Sequence, residues 1–145
     1  MSHKRDVIGP SLPRVIVAAA IIIDGRVLAC QRSAPPDAAG RWEFPGGKVE
    51  PGETDAQALA RECAEELGVW VAVGDQIGPD VPMAHGAALL RVFAVTLAGG
   101  DPPRALEHTA IRWLGADELD SVPWLPADQP IVRELPALLS RSSKT

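Results

Sequence analysis

The stretch GGKVEPGETDAQALARECAEELGV, residues 46–69, holds six acids and combines a glycine-rich turn with a helical pattern. Thr54 is a good helix N-cap, and Gln57 three residues later completes a capping box. Gly68 is a natural helix stop, because glycine readily adopts the left-handed conformation that ends many helices. These signals predict a helix that begins after Thr54 and ends before Gly68.

The apolar side chains of this predicted helix form one stripe. Leu59, Cys63 and Leu67 are spaced i, i+4 and i+8, and Ala56 and Ala60 widen the stripe. This face is predicted to pack against the rest of the protein, so Cys63 is predicted to be a buried thiol.

Three acids follow the same helical turn. Glu62, Glu65 and Glu66 fall on an adjoining arc about 100° wide. Like charges this close repel one another on a helix surface. A divalent cation would remove the repulsion, and carboxylate oxygens suit Mg²⁺ or Mn²⁺. A solvated acidic face is the alternative, and the surrounding spacing argues against it.

That spacing resembles the Nudix box. Gly47 is followed by five residues, Glu53, seven residues and the run RECAEELGV, residues 61–69. This matches the pattern Gly-x5-Glu-x7-Arg-Glu-apolar-x-Glu-Glu-x-Gly-apolar at every position. The preceding WEFPGGK looks like the MutT branch of the family, which sanitises nucleotide pools.

The resemblance covers residues 14–139 and is weak from 73 to 90. It implies the Nudix fold, an α/β/α sandwich around a mixed β-sheet, and hydrolysis of a nucleoside diphosphate linked to another group. It implies Mg²⁺ as the cofactor, with Mn²⁺ as a substitute. Glu53 and Arg61 match a salt-bridged pair that shapes the loop. The positions that match metal ligands are the Gly46 carbonyl, Glu62, Glu65 and Glu66.

Further matches lie outside the box. Glu107 resembles a downstream acid that reaches the metal site from a loop. Arg32 and Phe44 match residues that contact the nucleotide, with a surface cation and a core residue as the respective alternatives. Lys48 is a candidate to offset phosphate charge.

The reaction that the resemblance implies is attack of water on the β-phosphorus of a nucleoside triphosphate, giving the monophosphate and pyrophosphate. Metal ions would neutralise the phosphate oxygens and lower the pKa of the water. Glu62 is the expected general base and Glu107 the alternative. Glu65, Glu66 and Glu107 would hold the metal ions.

Asp128 bears on the substrate. It lies in LPADQP, 21 residues after Glu107, where the MutT branch usually has Asn. An ionised Asp only accepts hydrogen bonds, which suits the N4 amino group of cytosine. LPAD resembles the branch that cleaves CTP, dCTP and 5-substituted cytidine nucleotides, whose members often accept 8-oxo-dGTP. We therefore expect cytidine triphosphates first and 8-oxo-dGTP second. A plain helix cap is the alternative role for Asp128.

Two other interpretations of the family resemblance remain open. Some Nudix folds are non-catalytic binding modules, but these usually lack box acids, and here every acid is present. Other members act on ADP-ribose or dinucleoside polyphosphates. Neither His85 nor His108 has a clear partner in the sequence, and both are expected to be structural or solvated.

The composition is that of an ordinary globular protein, with 145 residues, 46% hydrophobic and 23% charged. The net charge of −5 and the absence of a dense Lys/Arg run argue against nucleic-acid binding. The apolar run of residues 15–23 is too short for a bilayer, which needs ~20 residues. We expect a cytoplasmic monomer that acts on small nucleotides, away from membranes.

The remaining elements follow from local patterns. Residues 15–23 predict a strand buried on both faces, and Asp24-Gly25 predicts a hairpin turn into a second strand over 26–32. We expect a flexible arm over 1–13, a single domain over 14–139 and a tail over 140–145. The other predicted elements are strands at 41–44, 69–77, 87–97 and 111–114, a helical turn at 116–119 and a closing helix at 128–139.

Overall fold

The computed structural model describes residues 12–142. Almost all of the predicted arm over 1–13 lies outside these residues. The strands are β1 (Arg14–Ile23), β2 (Arg26–Gln31), β3 (Trp42–Glu43), β4 (Gly46–Lys48), β5 (Val71–Met83), β6 (Ala88–Leu97) and β7 (Ala110–Gly115). The α-helices are α1 (Asp55–Leu67), α2 (Gln129–Val132) and α3 (Leu135–Ser142), and 3₁₀ turns span Ala84–Gly86, Ala116–Ser121 and Pro126–Asp128.

The strands form a mixed sheet in the order β3-β2-β1-β6-β5, with β4 also paired to β1 and β7 to β2. The β1–β6 pair is parallel, and the other pairs are antiparallel. On its other edge β1 pairs with β4 at residues 16–18 and with β2 at residues 22–23. The sheet therefore opens between β2 and β4, next to the glycine-rich turn.

Both faces of β1 are buried, as predicted. Val17, Ala19 and Ile21 belong to the core under α1, which includes Leu59, Cys63 and Leu67. The alternate residues Ala18 and Ala20 belong to a second core with Leu135 and Leu139 of α3. Because side chains alternate along a strand, one apolar run serves both cores. This is the α/β/α arrangement expected for the Nudix fold.

Helix α1 has the predicted ends. The Gln57 backbone N–H donates to Thr54 Oγ1 at 3.1 Å, and the Thr54 N–H donates to Gln57 Oε1 at 2.9 Å. Gly68 has φ 69° and donates its N–H to the Ala64 carbonyl. Glycine fits this left-handed cap without a Cβ penalty.

The buried face of α1 differs in part from the prediction. Leu59, Cys63 and Leu67 are buried, but Ala56 is exposed and Ala60 only half-buried. The remaining buried positions are Ala58 and Glu66. The buried face of α1 is therefore rotated around the helix axis relative to the predicted apolar stripe, and it includes Glu66, one of the three clustered acids.

The strands differ from the prediction in two places. β5 continues to Met83 instead of ending at residue 77, because irregularities in its register let it follow β6. The strand predicted over 41–44 does end before the glycine-rich turn, but the turn itself continues into β4, Gly46–Lys48, which pairs with β1 and was not predicted. Glycine hides a strand from sequence patterns, since it has no side chain to alternate.

The predicted closing helix over 128–139 is broken. α2 ends at Val132 and α3 starts at Leu135. In a continuous helix, Pro136 would lack the N–H needed by the Val132 carbonyl and its ring would clash there. α3 then continues to Ser142, so residues 140–142, assigned to the tail, are helical. Across residues 12–142, every helix falls short of the length and apolar character that crossing a membrane requires.

We predict that Gly46→Ala lowers the melting temperature. A Cβ on Gly46 would overlap the Val17 carbonyl oxygen and lie 2.7 Å from the Ala18 Cα. Both are backbone atoms, so the β1–β4 pairing would have to shift, at the cost of ~1–3 kcal/mol typical of overpacking. Gly100→Ala is the control, because a Cβ there meets nothing within 4 Å. Equal melting temperatures for the two variants would contradict the close approach.

Candidate active site

Arg61 is the centre of the hydrogen-bond network in the glycine-rich loop. Its Nε and Nη2 donate to the two oxygens of Glu53 at 2.8 and 3.0 Å. Nη1 donates to Glu62 at 3.1 Å and to Glu65 at 3.4 Å, and Nη2 also donates to the Lys48 carbonyl at 3.1 Å. The hydrogen bonds from Arg61 lower the pKa of Glu53 to about 2. The predicted salt-bridged pair thus ties the loop to α1.

Glu66 points into the protein, and its side chain is 7% exposed. It accepts a hydrogen bond from the Gly46 N–H at 3.4 Å. Burial, and then the hydrogen bond and charge of Glu62 and the charge of Glu43, raise the pKa of Glu66 well above its usual range. The Glu62 carboxylate fills the space that a Cβ on Gly47 would occupy. Two glycines therefore let backbone and carboxylates meet closely.

Two residues that the sequence analysis did not assign to the site lie beside this cluster. Glu43 Oε1 accepts a hydrogen bond from Arg32 Nη1 at 3.0 Å, and Glu43 Oε2 lies 2.9 Å from His108 Nε2. His108 Nε2 is also 3.9 Å from Glu66 Oε1. The sequence does carry a signal for Glu43, because it is a charged residue between the buried aromatics Trp42 and Phe44.

Two pockets adjoin here and share Arg32, Glu43 and Gly46. The first, called the acidic pocket, has a volume of about 250 Å³ and is lined by Arg32, Ser33, Ala34, Glu43, Gly46, Glu66, Glu107 and His108. The second, called the apolar pocket, has a volume of about 290 Å³ and is lined by Ile16, Val17, Ala18, Arg32, Glu43, Phe44, Gly46, Gly47, Lys48, Met83, Leu90, Leu125, Ala127 and Asp128. The site therefore has one charged half and one apolar half.

The structure places three of the four predicted nucleotide contacts as follows. Phe44 is 3% exposed and packs on Trp124 with ring centroids 4.9 Å apart, so it is a core residue that also lines the apolar pocket. Arg32 stands between the two pockets and is not a plain surface cation. Lys48 lines the apolar pocket from an exposed position.

Asp128, the fourth predicted contact, is 4% exposed and lines the apolar pocket. Its side chain makes no capping hydrogen bond to α2, which weighs against a role as a helix cap. Burial, followed by the charge of Glu43, raises the pKa of the Asp128 carboxyl well above its usual range, while Arg32 lowers it. A buried acid facing an apolar pocket needs a partner, because leaving such a group unpaired is costly.

The predicted metal ligands are only partly assembled. Glu107 lines the acidic pocket from an exposed loop position, whereas the Glu65 side chain is 53% exposed and paired with Arg61. Within residues 12–142, no three acidic, His or Cys side chains converge closely enough to hold a metal ion. Glu62 and Glu65 instead accept hydrogen bonds from Arg61 at 3.1 and 3.4 Å, and their role as metal ligands stays a prediction.

The donor set nevertheless fits a hard divalent cation. Glu62 and Glu66 offer carboxylate oxygens, and their mutual repulsion together with the burial of Glu66 is what a cation relieves. The residues that could hold the ion are Gly46 through its carbonyl, Glu62, Glu65, Glu66 and Glu107. A cation would compete with Arg61 for two of these carboxylates.

A family model described as the NUDIX domain matches residues 13–135, and the chain belongs to the Nudix family. It is a Nudix hydrolase, a class of enzyme that acts on small nucleotide substrates and generally uses divalent metal ions.

Relatives with similar lengths support this assignment. A Mycobacterium tuberculosis protein named "Putative 8-oxo-dGTP diphosphatase 2" is 48% identical, over 91% of this chain and 94% of its own length. The Escherichia coli protein named CTP pyrophosphohydrolase is 41% identical, over 85% and 91%. The solution structure of the Escherichia coli ORF135 protein has a TM-score of 0.75 at 35% identity, covering 94% of this chain and all of that one.

We predict that Mg²⁺ or Mn²⁺ raises the melting temperature, because an ion that binds only the native state stabilises it. The rise should shrink when Glu65 and Glu66 are both changed to Gln. Asp117→Asn with Asp120→Asn is the matched control, since it removes two exposed carboxylates elsewhere. Thermal scans with and without metal measure the rise, and an unchanged rise in the Gln variant would place the ion elsewhere.

Proposed function

We propose that this Nudix hydrolase is a Mg²⁺-dependent nucleoside triphosphate pyrophosphohydrolase, with Mn²⁺ able to substitute. Its substrates are CTP, dCTP and 5-substituted cytidine nucleotides, and also 8-oxo-dGTP. The observation that carries the proposal is the pair of pockets that share Arg32, Glu43 and Gly46. An acidic half beside α1 suits a metal-bound phosphate chain, and an apolar half ending at a buried acid suits a base.

The apolar pocket offers a base both a ring and a polar group. Phe44 provides an aromatic surface, and stacking on such a surface is worth ~1–3 kcal/mol per base. Asp128 provides the polar group that distinguishes one base edge from another. Arg32 and Lys48 are the cations that line this pocket, so they can offset the charge of the phosphates nearest the nucleoside.

The reaction is hydrolysis at the β-phosphorus. A water oxygen bonds to that phosphorus, and the bond to the oxygen bridging the α- and β-phosphates breaks. The bridging oxygen leaves with the nucleoside monophosphate, and pyrophosphate carries the new oxygen. A bound divalent cation supplies charge neutralisation and a lower pKa for water. Glu62 takes the proton as general base, held through Oε2 by Arg61. Glu107, at the acidic pocket, is the alternative base.

The burial of Asp128 widens the substrate range expected from its sequence position. An ionised carboxylate only accepts hydrogen bonds, whereas a neutral carboxyl also donates one and so resembles Asn. Because its pKa is raised, Asp128 stays neutral at higher pH than an ordinary Asp. A neutral carboxyl can meet O6 and N7–H of 8-oxoguanine, or N3 and the N4 amino group of cytosine. This supports 8-oxo-dGTP as a substrate beside the cytidine nucleotides.

The relatives support the same pair of substrates. The Escherichia coli protein is named for CTP and the Mycobacterium tuberculosis protein for 8-oxo-dGTP, and both match this chain over most of their length. A single domain over residues 14–139 that acts as a cytoplasmic monomer stays a prediction.

A hydrolysis screen with product identification tests the proposal. The substrates are CTP, dCTP, 5-methyl-dCTP, dGTP and 8-oxo-dGTP, with ADP-ribose and a dinucleoside polyphosphate for comparison, each with and without Mg²⁺. We expect Mg²⁺-dependent release of pyrophosphate and monophosphate from the cytidine nucleotides and 8-oxo-dGTP. Binding without turnover would favour the non-catalytic module instead, and turnover confined to ADP-ribose or dinucleoside polyphosphates would overturn the triphosphate assignment.

We predict that Glu62→Gln leaves the fold intact and lowers kcat by ~10²–10⁴-fold, the usual effect of losing a general base. An amide cannot accept the proton from water. Glu50→Gln is the control, because Glu50 is an exposed acid of the same loop. Steady-state kinetics and thermal scans measure both effects. A near-normal kcat for Glu62→Gln would move the role to Glu107.

We predict that preference for CTP over UTP depends on pH through Asp128. The ionised carboxylate repels the uracil O4 oxygen, whereas the neutral carboxyl can donate to it. Because the pKa of Asp128 is raised, the ratio of kcat/KM for CTP to kcat/KM for UTP should be small at low pH and grow as the pH rises through that pKa. It should reach at least about tenfold, the factor given by ~1.4 kcal/mol. Asp128→Asn should show a small ratio at every pH and a relative gain for 8-oxo-dGTP.

The ratio is measured for two substrates on one protein at one pH and one Mg²⁺ concentration, so titration of the catalytic carboxylates cancels. The charged groups that face Asp128 are Glu43 from β3, Arg32 after β2 and Lys48 from β4. Identical ratios in both proteins across the pH range would show that Asp128 does not read the base.

A further inference from the structure

Glu43 lies at the junction of the acidic and apolar pockets with both carboxylate oxygens engaged. Oε1 accepts the hydrogen bond from Arg32 at 3.0 Å, and Oε2 faces His108 Nε2 at 2.9 Å. The Glu43 side chain is 18% exposed. Glu43 is a largely buried carboxylate beside the proposed position of the phosphates. It would repel an anionic substrate unless neighbouring groups offset its charge.

The His108 ring is held only at one nitrogen. Its side chain is 7% exposed, and Nε2 lies 2.9 Å from Glu43 Oε2 and 3.9 Å from Glu66 Oε1. An ionised carboxylate only accepts, so the tautomer that fits the Glu43 contact is the one with a proton on Nε2. Within residues 12–142, Nδ1 is buried and has no hydrogen-bond partner. Burying Nδ1 without a hydrogen bond is unfavourable, so the contact between Nε2 and the Glu43 carboxylate is the polar interaction that the buried imidazole makes.

Arg32 is fixed by the same carboxylate. Its Nε donates to the Ala34 carbonyl at 3.0 Å and its Nη1 to Glu43. These two anchors set the plane of the guanidinium where it lines both pockets. These two hydrogen bonds use Nε and Nη1, which leaves Nη2 able to donate to an anion. The planar fork of an arginine suits phosphate oxygens when its orientation is fixed.

We propose that His108 is a positioning residue for the triphosphate. Through Glu43 it holds the Arg32 guanidinium at the opening between the two pockets, where Nη2 meets the phosphate next to the nucleoside. The inference rests on the proposed triphosphate substrate and adds a residue outside the glycine-rich loop and α1. Loss of His108 frees both Glu43 and Arg32 to move, which weakens substrate binding more than the chemical step.

The first test compares two replacements of His108. His108→Leu fills the buried volume without a donor, and His108→Gln keeps an N–H that can reach Glu43. His108→Leu should raise KM roughly tenfold or more, the scale of one lost hydrogen bond to a charged group, with a smaller change in kcat. His108→Gln should recover most of the loss. His85→Asn is the control, because His85 is exposed and its φ of 57° suits Asn.

The second test is a double-mutant cycle with Arg32→Ala. If His108 acts through Arg32, then His108→Leu should change KM by less than about twofold in the Arg32→Ala background. Calorimetry with α,β-methylene-CTP should show the same coupling in affinity, since this analogue has no bridging oxygen to cleave. Additive losses would overturn the proposal. So would unchanged KM and affinity together with a shifted Mg²⁺ requirement, which would place the role of His108 in the acidic cluster.

Failure of this proposal and failure of the substrate assignment give different results. The kinetic cycle is run with CTP and with 8-oxo-dGTP, so it remains measurable if only one of them is hydrolysed. If His108→Leu does not fold, Glu43→Gln replaces it in the same cycle. Glu43→Gln keeps the shape of the side chain but removes the charge that orients Arg32, so coupling to Arg32→Ala is again expected and additivity again overturns the proposal.

Discussion

The ion pair between Arg61 and Glu53 is the interaction on which the rest of the site depends. Two parallel hydrogen bonds fix the guanidinium against one carboxylate, and its remaining N–H groups reach the Lys48 carbonyl and the carboxylates of α1. One side chain therefore ties the glycine-rich loop, β4 and α1 together. The loop then presents the backbone N–H of Gly46 to Glu66, and both residues line the acidic pocket.

The site brings several carboxylates together, and each of them has a hydrogen-bond partner. Glu43, Glu62 and Glu66 lie close together, and their partners are the Arg32 and Arg61 guanidinium groups, the Gly46 N–H and the ring of His108. The pairing is incomplete, because burial and like charges still raise the pKa of Glu66. Repulsion among these carboxylates destabilises the metal-free protein and favours binding of a cation. A bound cation would in turn attract an anionic substrate.

In the function proposed above, the two pockets divide base recognition from phosphate chemistry. Under that proposal, the apolar walls and the buried Asp128 discriminate bases by hydrogen-bonding capacity, while the charged groups of the acidic pocket meet the phosphates of any triphosphate. Arg32 and Glu43 belong to both halves, so a change in either residue affects both.

The sequence by itself determined α1, its capping box and Gly68 stop, the doubly buried β1 and the Arg61–Glu53 pair. These depend on spacings of a few residues or on one recognisable motif, which local chemistry decides. Only the tertiary structure decided that Glu66 is interior, that Gly46 belongs to a strand and that Pro136 divides the closing helix. It also brought His108 to Glu43 across 65 residues and buried Asp128 beside β4. Such long-range contacts depend on how the sheet opens between β2 and β4, and no short stretch of sequence encodes that opening.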